Sequence, residues 1–225
     1  MTILSVFEGF RIERQQHEEG SALAGAHSID LTGQCAIVTG GTRGLGRVIA
    51  ARLAEAGCAV VVCGRKAPES LPNGVAFESV DVRDPDQAKA FVDGVAAQHG
   101  RLDILINNAG GSPASKAEEG SPRFVDAIMK LNLLGPLYLA QAAHAHMAKA
   151  GHGSIINIAS VSGIRPSPGT AIYGAAKAGL LNLTQSLAQE WGPQGIRVNA
   201  IIAGLMATET ADYTYGDAEA QAAVG

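Results

Sequence analysis

The sequence predicts a three-layer α/β fold: one doubly wound parallel sheet with helices on both faces. Two observations predict it. Short runs that are almost wholly apolar alternate with longer segments whose apolar residues recur at helical spacing. Glycines mark the places where runs and helices meet, and only 4% of residues are aromatic, which suits Val/Ile-rich strands packed closely against helices. A chain of 225 residues is the right length for one such domain.

The elements follow in order. Residues 1–32 are mixed in charge and run into the Gly20–Gly25 segment, so they read as a flexible N-terminal extension. A partner-binding arm using Phe7, Phe10 and Ile12 is the alternative. The domain proper spans 33–225. Cys35–Thr39 is a buried strand ending in glycines. Gly44–Ala56 carries Leu45, Val48, Ile49 and Leu53 at helical spacing, and Gly57 stops it. Ala59–Cys63 and Val75–Val80 are the second and third strands. Pro85–His99 is a helix with Asp84 as cap, Pro85 in the first position and Gly100 as terminator. Leu102–Ile106 is the fourth strand, and a long helix covers Arg123–Ala150. Ser154–Ala159 is the fifth strand, Thr170–Trp191 another long helix, and Arg197–Ala203 the sixth strand.

Composition narrows the function. The net charge is −4 with no strongly basic patch, which argues against nucleic acid. No apolar run approaches the ~20 residues that span a bilayer, and the short apolar stretch Ile3–Phe7 gives way to Glu8 and a charged run, unlike a secretory signal. Cys35, Cys58 and Cys63 are odd in number and lie in strand-like context, so they read as reduced thiols of a cytoplasmic protein. His144 and His146 point in different directions on a helix, and no Cys or carboxylate cluster accompanies them or His152, so no metal site is expected.

The turn after the first strand, from Thr39 through Gly40, Gly41, Thr42, Arg43, Gly44 and Leu45 to Gly46, opens a helix. Glycines there allow a tight bend and close backbone approach, and a helix N-terminus offers N–H groups to a pyrophosphate. This is the physics of a dinucleotide site. The second strand ends in Cys63-Gly64-Arg65-Lys66, with no carboxylate until Glu69 to receive ribose hydroxyls. Arg65, together with Arg43 in the turn, suits a 2′-phosphate, so NADP(H) is expected over NAD(H). Asp81 after the third strand is placed to accept from an adenine amino group, with Val82 lining the base, or to cap its own turn. Asn108, Ala109 and Gly110 follow the fourth strand, in the crevice where open α/β sheets bind ligands.

Tyr173 and Lys177 lie four apart, one above the other on a helix, with Ser160 upstream. An ammonium beside a phenol favours the phenolate and draws the phenol pKa down from about 10 toward neutrality. Such a phenol exchanges a proton with a carbonyl oxygen or an alcohol.

These motifs together resemble the short-chain dehydrogenase/reductase family, classical type, which has a Rossmann-like fold. The matching residues are Thr39-Gly40 with Gly44 and Gly46, Asn107 through Gly110, Asn132, Ser160, Tyr173 and Lys177, with Asn199, Gly204 and Thr208 matching part of a later motif. The resemblance covers residues 30–210. It implies that Tyr173 is the general acid or base and that Lys177 binds the nicotinamide ribose. It implies that Ser160 holds the substrate oxygen and Asn132 supports a water-mediated proton relay, while Gly204 and Thr208 lie beside the cofactor. It further implies an NADP(H)-dependent oxidoreductase that interconverts a ketone, 3-oxoacyl-thioester-like or general, and a secondary alcohol. Assembly as a homodimer or homotetramer through the long helices is implied as well. The chain departs from the family where Ala203-Gly204 replaces Pro-Gly, which removes a fixed φ. It also departs after Gly204, where a substrate-covering helical segment, a further helix and the last strand are expected; without them the sixth strand becomes an exposed apolar edge. The competing expectation is a non-catalytic NADP(H)-binding protein lacking that substrate segment. The polar loop Gly111–Pro122 is placed to border a substrate.

Overall fold

The computed structural model describes residues 29–204 and 206; the N-terminal extension up to residue 28, Thr208 and the Ala-rich tail lie outside the described residues. Six strands, β1 (Cys35–Thr39), β2 (Ala59–Gly64), β3 (Val75–Ser79), β4 (Ile104–Asn107), β5 (Gly153–Ser160) and β6 (Ile196–Ala203), form one sheet in the order β3-β2-β1-β4-β5-β6. Every pair is parallel. The chain turns back on itself between β1 and β4, so the carboxyl ends of those strands frame a crevice.

Alternation along the strands divides the core. Ile37, Leu105, Ile155 and Val198 face helices α2 (Pro85–His99), α4 (Gly135–Ala150) and α5 (Ala171–Trp191), meeting Val92, Val95, Leu139, Met147 and Leu187. Ala36, Val38, Val62, Ile106 and Ile158 face α1 (Gly44–Glu55) and Ala50. Each fully buried Val, Ile or Leu contributes about 1.5–3 kcal/mol relative to an exposed one. Among the described residues α1 is the only long helix on the second face. Ile201 (51%) and Ile202 (45%), adjacent on β6 and so on opposite faces of the sheet, are exposed.

The caps are those the sequence predicts. Asp84 Oδ1 accepts from the N–H groups of Asp86 (3.0 Å) and Gln87 (3.2 Å), Pro85 occupies the first turn, and Gly100 closes α2 with φ 70°. The long helix expected over 123–150 differs. It starts at α3 (Pro122–Met129), passes through a π turn (Lys130–Leu134) and resumes as α4.

At the opposite end of the sheet the buried Asp103 ties three strands together. Its carboxylate accepts from Cys35 N (2.8 Å), the Arg101 guanidinium (2.7 and 2.8 Å) and His152 Nε2 (2.9 Å). Burial alone would raise its pKa, but these donors outweigh it and hold the carboxyl below its ordinary range. Cys35, Cys58 and Cys63 are buried and unbridged, and burial pushes them up to about 12, 11 and 12.

Candidate active site

The Gly-rich turn and the β4 turn are joined by two side chains. Thr39 Oγ1 accepts from the N–H groups of Asn108 and Ala109, both at 2.9 Å, and donates to the Ile106 carbonyl at 3.3 Å. Asn108 Nδ2 returns bonds to the carbonyls of Thr39 (2.9 Å) and Gly40 (3.2 Å). Gly40 (φ 63°) and Gly44 (φ 51°) adopt left-handed backbone. A Cβ on Gly46 would overlap Asn108 Nδ2 and the Gly40 carbonyl. Thr39 is thus a site residue to which the motif alone assigned no role. Arg43 stands at the N-cap of α1 and its side chain makes no cap bond, and a helix N-terminus suits an anionic group.

Beside the turn, Thr42 packs against Gly64 at the end of β2 (3.6 Å to the position of a glycine Cβ). Arg43 and Arg65 are exposed, and no described carboxylate lies within ion-pair distance of either. Arg47, not singled out in the sequence, donates to the Ser70 carbonyl at 2.6 Å and anchors the segment after β2 on α1. Asp81 accepts from Arg83 Nε (2.8 Å) and Arg83 N (3.1 Å), and the Arg83 guanidinium holds its carboxyl below the usual range. Its carboxylate therefore shapes its own turn. Val82 is buried against Gly135, whose Cβ position is 3.4 Å from Val82 Cγ2, so its side chain belongs to the core.

The second half of the site is built on β5, α5 and the π turn. Ser160 ends β5, is buried, and accepts from Ser162 N at 3.2 Å. The loop after it lies hard against α5. A Cβ on Gly163 would come within 2.9 Å of the Lys177 main chain, and one on Gly174 within 2.8 Å of the Ser162 carbonyl. Lys177 Nζ donates to the Ile158 carbonyl at 2.7 Å and sits 5.6 Å from the centre of the Tyr173 ring. Gly110 fits between Lys177 and Asn132: its Cβ position lies 3.2 Å from Lys177 Nζ and 2.8 Å from Asn132 Oδ1. Asn132 is fully buried. Its amide accepts from Gly111 N (2.9 Å) and donates to the carbonyls of Gly111 (2.9 Å) and Ile128 (3.0 Å). Gly204 follows Ala203, the register partner of Ser160, with open space around its Cβ position.

A chain of buried amides and a hydroxyl holds these halves in register. Asn107 Nδ2 donates to Pro136 O (3.2 Å) and Asn157 Oδ1 (2.9 Å). Asn157 Nδ2 donates to Thr184 Oγ1 (2.9 Å), and Thr184 donates to Leu180 O (2.7 Å). Buried polar groups of this kind are costly unless paired, so the chain fixes β4, β5 and α5 to one another.

Burial lowers the Lys177 pKa to about 8 from its ordinary 10.5. A lysine depressed in the folded state opposes folding while it is charged in both states. That cost is fully present below pH 8 and disappears as pH rises from about 8 toward 10.5, on the order of 3 kcal/mol in all. The three buried thiols act the opposite way above their ordinary values. The measurement is therefore urea unfolding of wild type against Lys177→Met from pH 7 to 10. The stability advantage of the variant should shrink across that range; a constant difference would contradict the assignment.

The histidines are engaged locally: His144 meets Gln194 (2.9 Å), His146 meets Asp93 (2.7 Å) and His152 meets Asp103 (2.9 Å). Among the described residues no group of three or more His, Cys, Asp or Glu side chains is arranged to hold a metal ion, and no helix is long and apolar enough to cross a membrane.

A family profile described as short chain dehydrogenase matches residues 34–218. The chain belongs to the short-chain dehydrogenase family. The gluconate 5-dehydrogenase of Gluconobacter oxydans (strain 621H) is 38% identical over 201 residues, covering 84% of this chain and 77% of that one. The 3-oxoacyl-[acyl-carrier-protein] reductase FabG of Staphylococcus aureus (strain Mu50 / ATCC 700699) is 36% identical over 187 residues, covering 79% and 76%. A solved Sinorhizobium meliloti 1021 structure, described as a short-chain alcohol dehydrogenase, superposes with a TM-score of 0.80 at 36% identity, covering 87% of this chain and 81% of that one. As a short-chain dehydrogenase the protein is an oxidoreductase of a family that uses nicotinamide cofactors and acts on small molecules. The residues present fit such a cofactor: a glycine cradle that a Cβ would fill, a helix N-terminus beside it, and a buried ammonium with two N–H groups beyond the one given to Ile158.

Proposed function

We propose that this short-chain dehydrogenase is an NADP(H)-dependent carbonyl reductase that interconverts a ketone and a secondary alcohol. The observation that carries the chemistry is Lys177, buried and charged against the Tyr173 ring. Arg43 and Arg65, exposed beside the Gly-rich turn and with no ion-pair partner among the described residues, support the 2′-phosphate preference. The nicotinamide supplies the hydride. Gly40, Thr42, Gly44, Leu45 and Gly46 receive the pyrophosphate, and Asn108, Ala109, Gly110, Gly204 and Thr208 border the cofactor. Asp81 and Val82 lie on its adenine side. Ser160 holds the substrate oxygen, Tyr173 gives it a proton during reduction or takes one during oxidation, and Lys177 stabilises the phenolate. Asn132 keeps Gly110 and Gly111 in place.

The names of the relatives, a 3-oxoacyl-[acyl-carrier-protein] reductase and a gluconate 5-dehydrogenase, support ketones as first candidates among substrates. A homodimer or homotetramer through α4 and α5, in the cytoplasm, completes the reading. The test is loss of NADPH absorbance with a panel of ketones that includes a 3-oxoacyl thioester. Turnover is expected on at least one; binding of NADPH without turnover on any would favour a non-catalytic binding protein.

A further inference from the structure

The basic rim beside the Gly-rich turn is carried on a segment with few bonds of its own. Arg65 and Lys66 follow β2 directly, are exposed, and begin the stretch that crosses to β3. At its start, Gly64 O accepts from Val80 N (3.0 Å) and Arg65 O accepts from Ser79 Oγ (3.4 Å). At its far end Leu71 packs on the core cluster under α1, and Pro72 O accepts from Val75 N (3.2 Å). Among the described residues, none forms a hydrogen bond or an ion pair with Lys66, Ala67, Pro68 or Glu69.

A side chain of α1 holds the stretch between these ends. Arg47 lies one turn into the helix, its main-chain N–H donating to the Arg43 carbonyl at 3.2 Å. Its Nη1 donates to Ser70 O at 2.6 Å and its Nη2 to Ser70 Oγ at 3.3 Å. A planar fork that gives two N–H groups to one residue fixes direction as well as distance. Among the described residues no carboxylate lies within ion-pair distance of Arg47, so Ser70 is the partner of its guanidinium. Without the fork, residues 66 to 70 would gain freedom that a ligand gripped by this stretch must remove on binding.

We propose that Arg47 is a positioning residue for recognition of the cofactor's 2′-phosphate. It acts without touching the phosphate: by fastening Ser70 to α1 it keeps Arg65 and Lys66 at the rim of the Gly-rich turn, where Arg43 stands. The inference rests on the NADP(H) reading above. On that reading α1 has two duties, offering its N-terminus to the pyrophosphate and fixing the loop that tells one dinucleotide from the other.

The test is a fluorescence titration of the full chain with NADPH and with NADH. Arg47→Met keeps the apolar stem and removes the fork. It is expected to weaken NADPH about tenfold, the scale of ordering a side chain or two on binding, and to change NADH less than twofold. In an Arg65→Ala/Lys66→Ala background the same substitution should have no further effect, because the groups it positions are gone. A tenfold loss that persists in that background would show Arg47 acting by its own charge or contact, and would overturn the proposal, as would unchanged NADPH affinity in the single variant. Trypsin gives a second readout that does not depend on the cofactor. Cleavage after Arg65 and Lys66 should be several-fold faster in Arg47→Met than in wild type, since cutting follows the population of the open loop; equal rates would sink the anchor. A wild-type protein that binds NADH as tightly as NADPH would overturn the NADP(H) reading, and the trypsin rates would still judge what Arg47 holds.

Discussion

Tyr173→Phe is expected to abolish ketone reduction, lowering kcat by roughly 10²–10⁴-fold, the range for a lost general acid, while NADPH still binds with near wild-type affinity. The phenol hydroxyl is the one atom removed. The ring stays on α5 within 5.6 Å of the Lys177 ammonium, so packing and local charge are retained. Lys177 remains bonded to the Ile158 carbonyl at 2.7 Å. Steady-state kinetics and a fluorescence titration with NADPH check both halves of the expectation. A variant that keeps most of its kcat would remove Tyr173 from the chemistry, whatever the family pattern.

Arg65→Asp should have the second-largest effect, moving the preference between NADPH and NADH by on the order of 100-fold toward NADH. A charge-assisted hydrogen bond contributes about 1.5–3 kcal/mol, and the new carboxylate would repel a 2′-phosphate while accepting from free ribose hydroxyls. Arg43→Ala should act in the same direction but more weakly, since it removes attraction without adding repulsion. The ratio of kcat/KM for the two cofactors is the measurement. An unaltered ratio in Arg65→Asp would make both arginines ordinary solvated surface charges.

Much of the fold can be read from local patterns. The apolar runs become the six strands within a few residues, and Asp84, Pro85 and Gly100 bound α2 as their chemistry dictates. The difference at β4 is instructive. The run Leu102–Ile106 looks like one strand; the strand formed is Ile104–Asn107, and just ahead of it the Asp103 main chain donates to Cys35 O (3.0 Å) and accepts from Ser154 N (2.8 Å). The break in the long helix was masked because Leu131, Leu134 and Leu139 continue an apolar pattern through it. Pro136 directly after Gly135 was the available signal, since its missing N–H falls due in mid-helix.

The site was legible where the chemistry is local. The Gly-rich turn and the Tyr173/Lys177 pair are contiguous motifs whose spacing reports their geometry. The bonds from Thr39 to Asn108 and from Asn107 through Asn157 to Thr184 join residues far apart in the chain, and only the strand order brings them together. Asp81 could be read two ways from the sequence, as an acceptor for an adenine amino group or as the cap of its own turn; its carboxylate accepts from Arg83, two residues on.

The Asn107–Asn157–Thr184 chain has a consequence for how this enzyme can diversify. It clamps β4, β5 and α5 to a single frame, so on the proposed function the cofactor's bed and the helix of the proton donor cannot be adjusted independently. On that function, variation in what is accepted as substrate falls on described segments that frame leaves alone: the loop between β4 and α3 and the residues from 161 to 170. Selection for a new metabolite can rework those borders freely while the redox machinery beneath them is inherited intact.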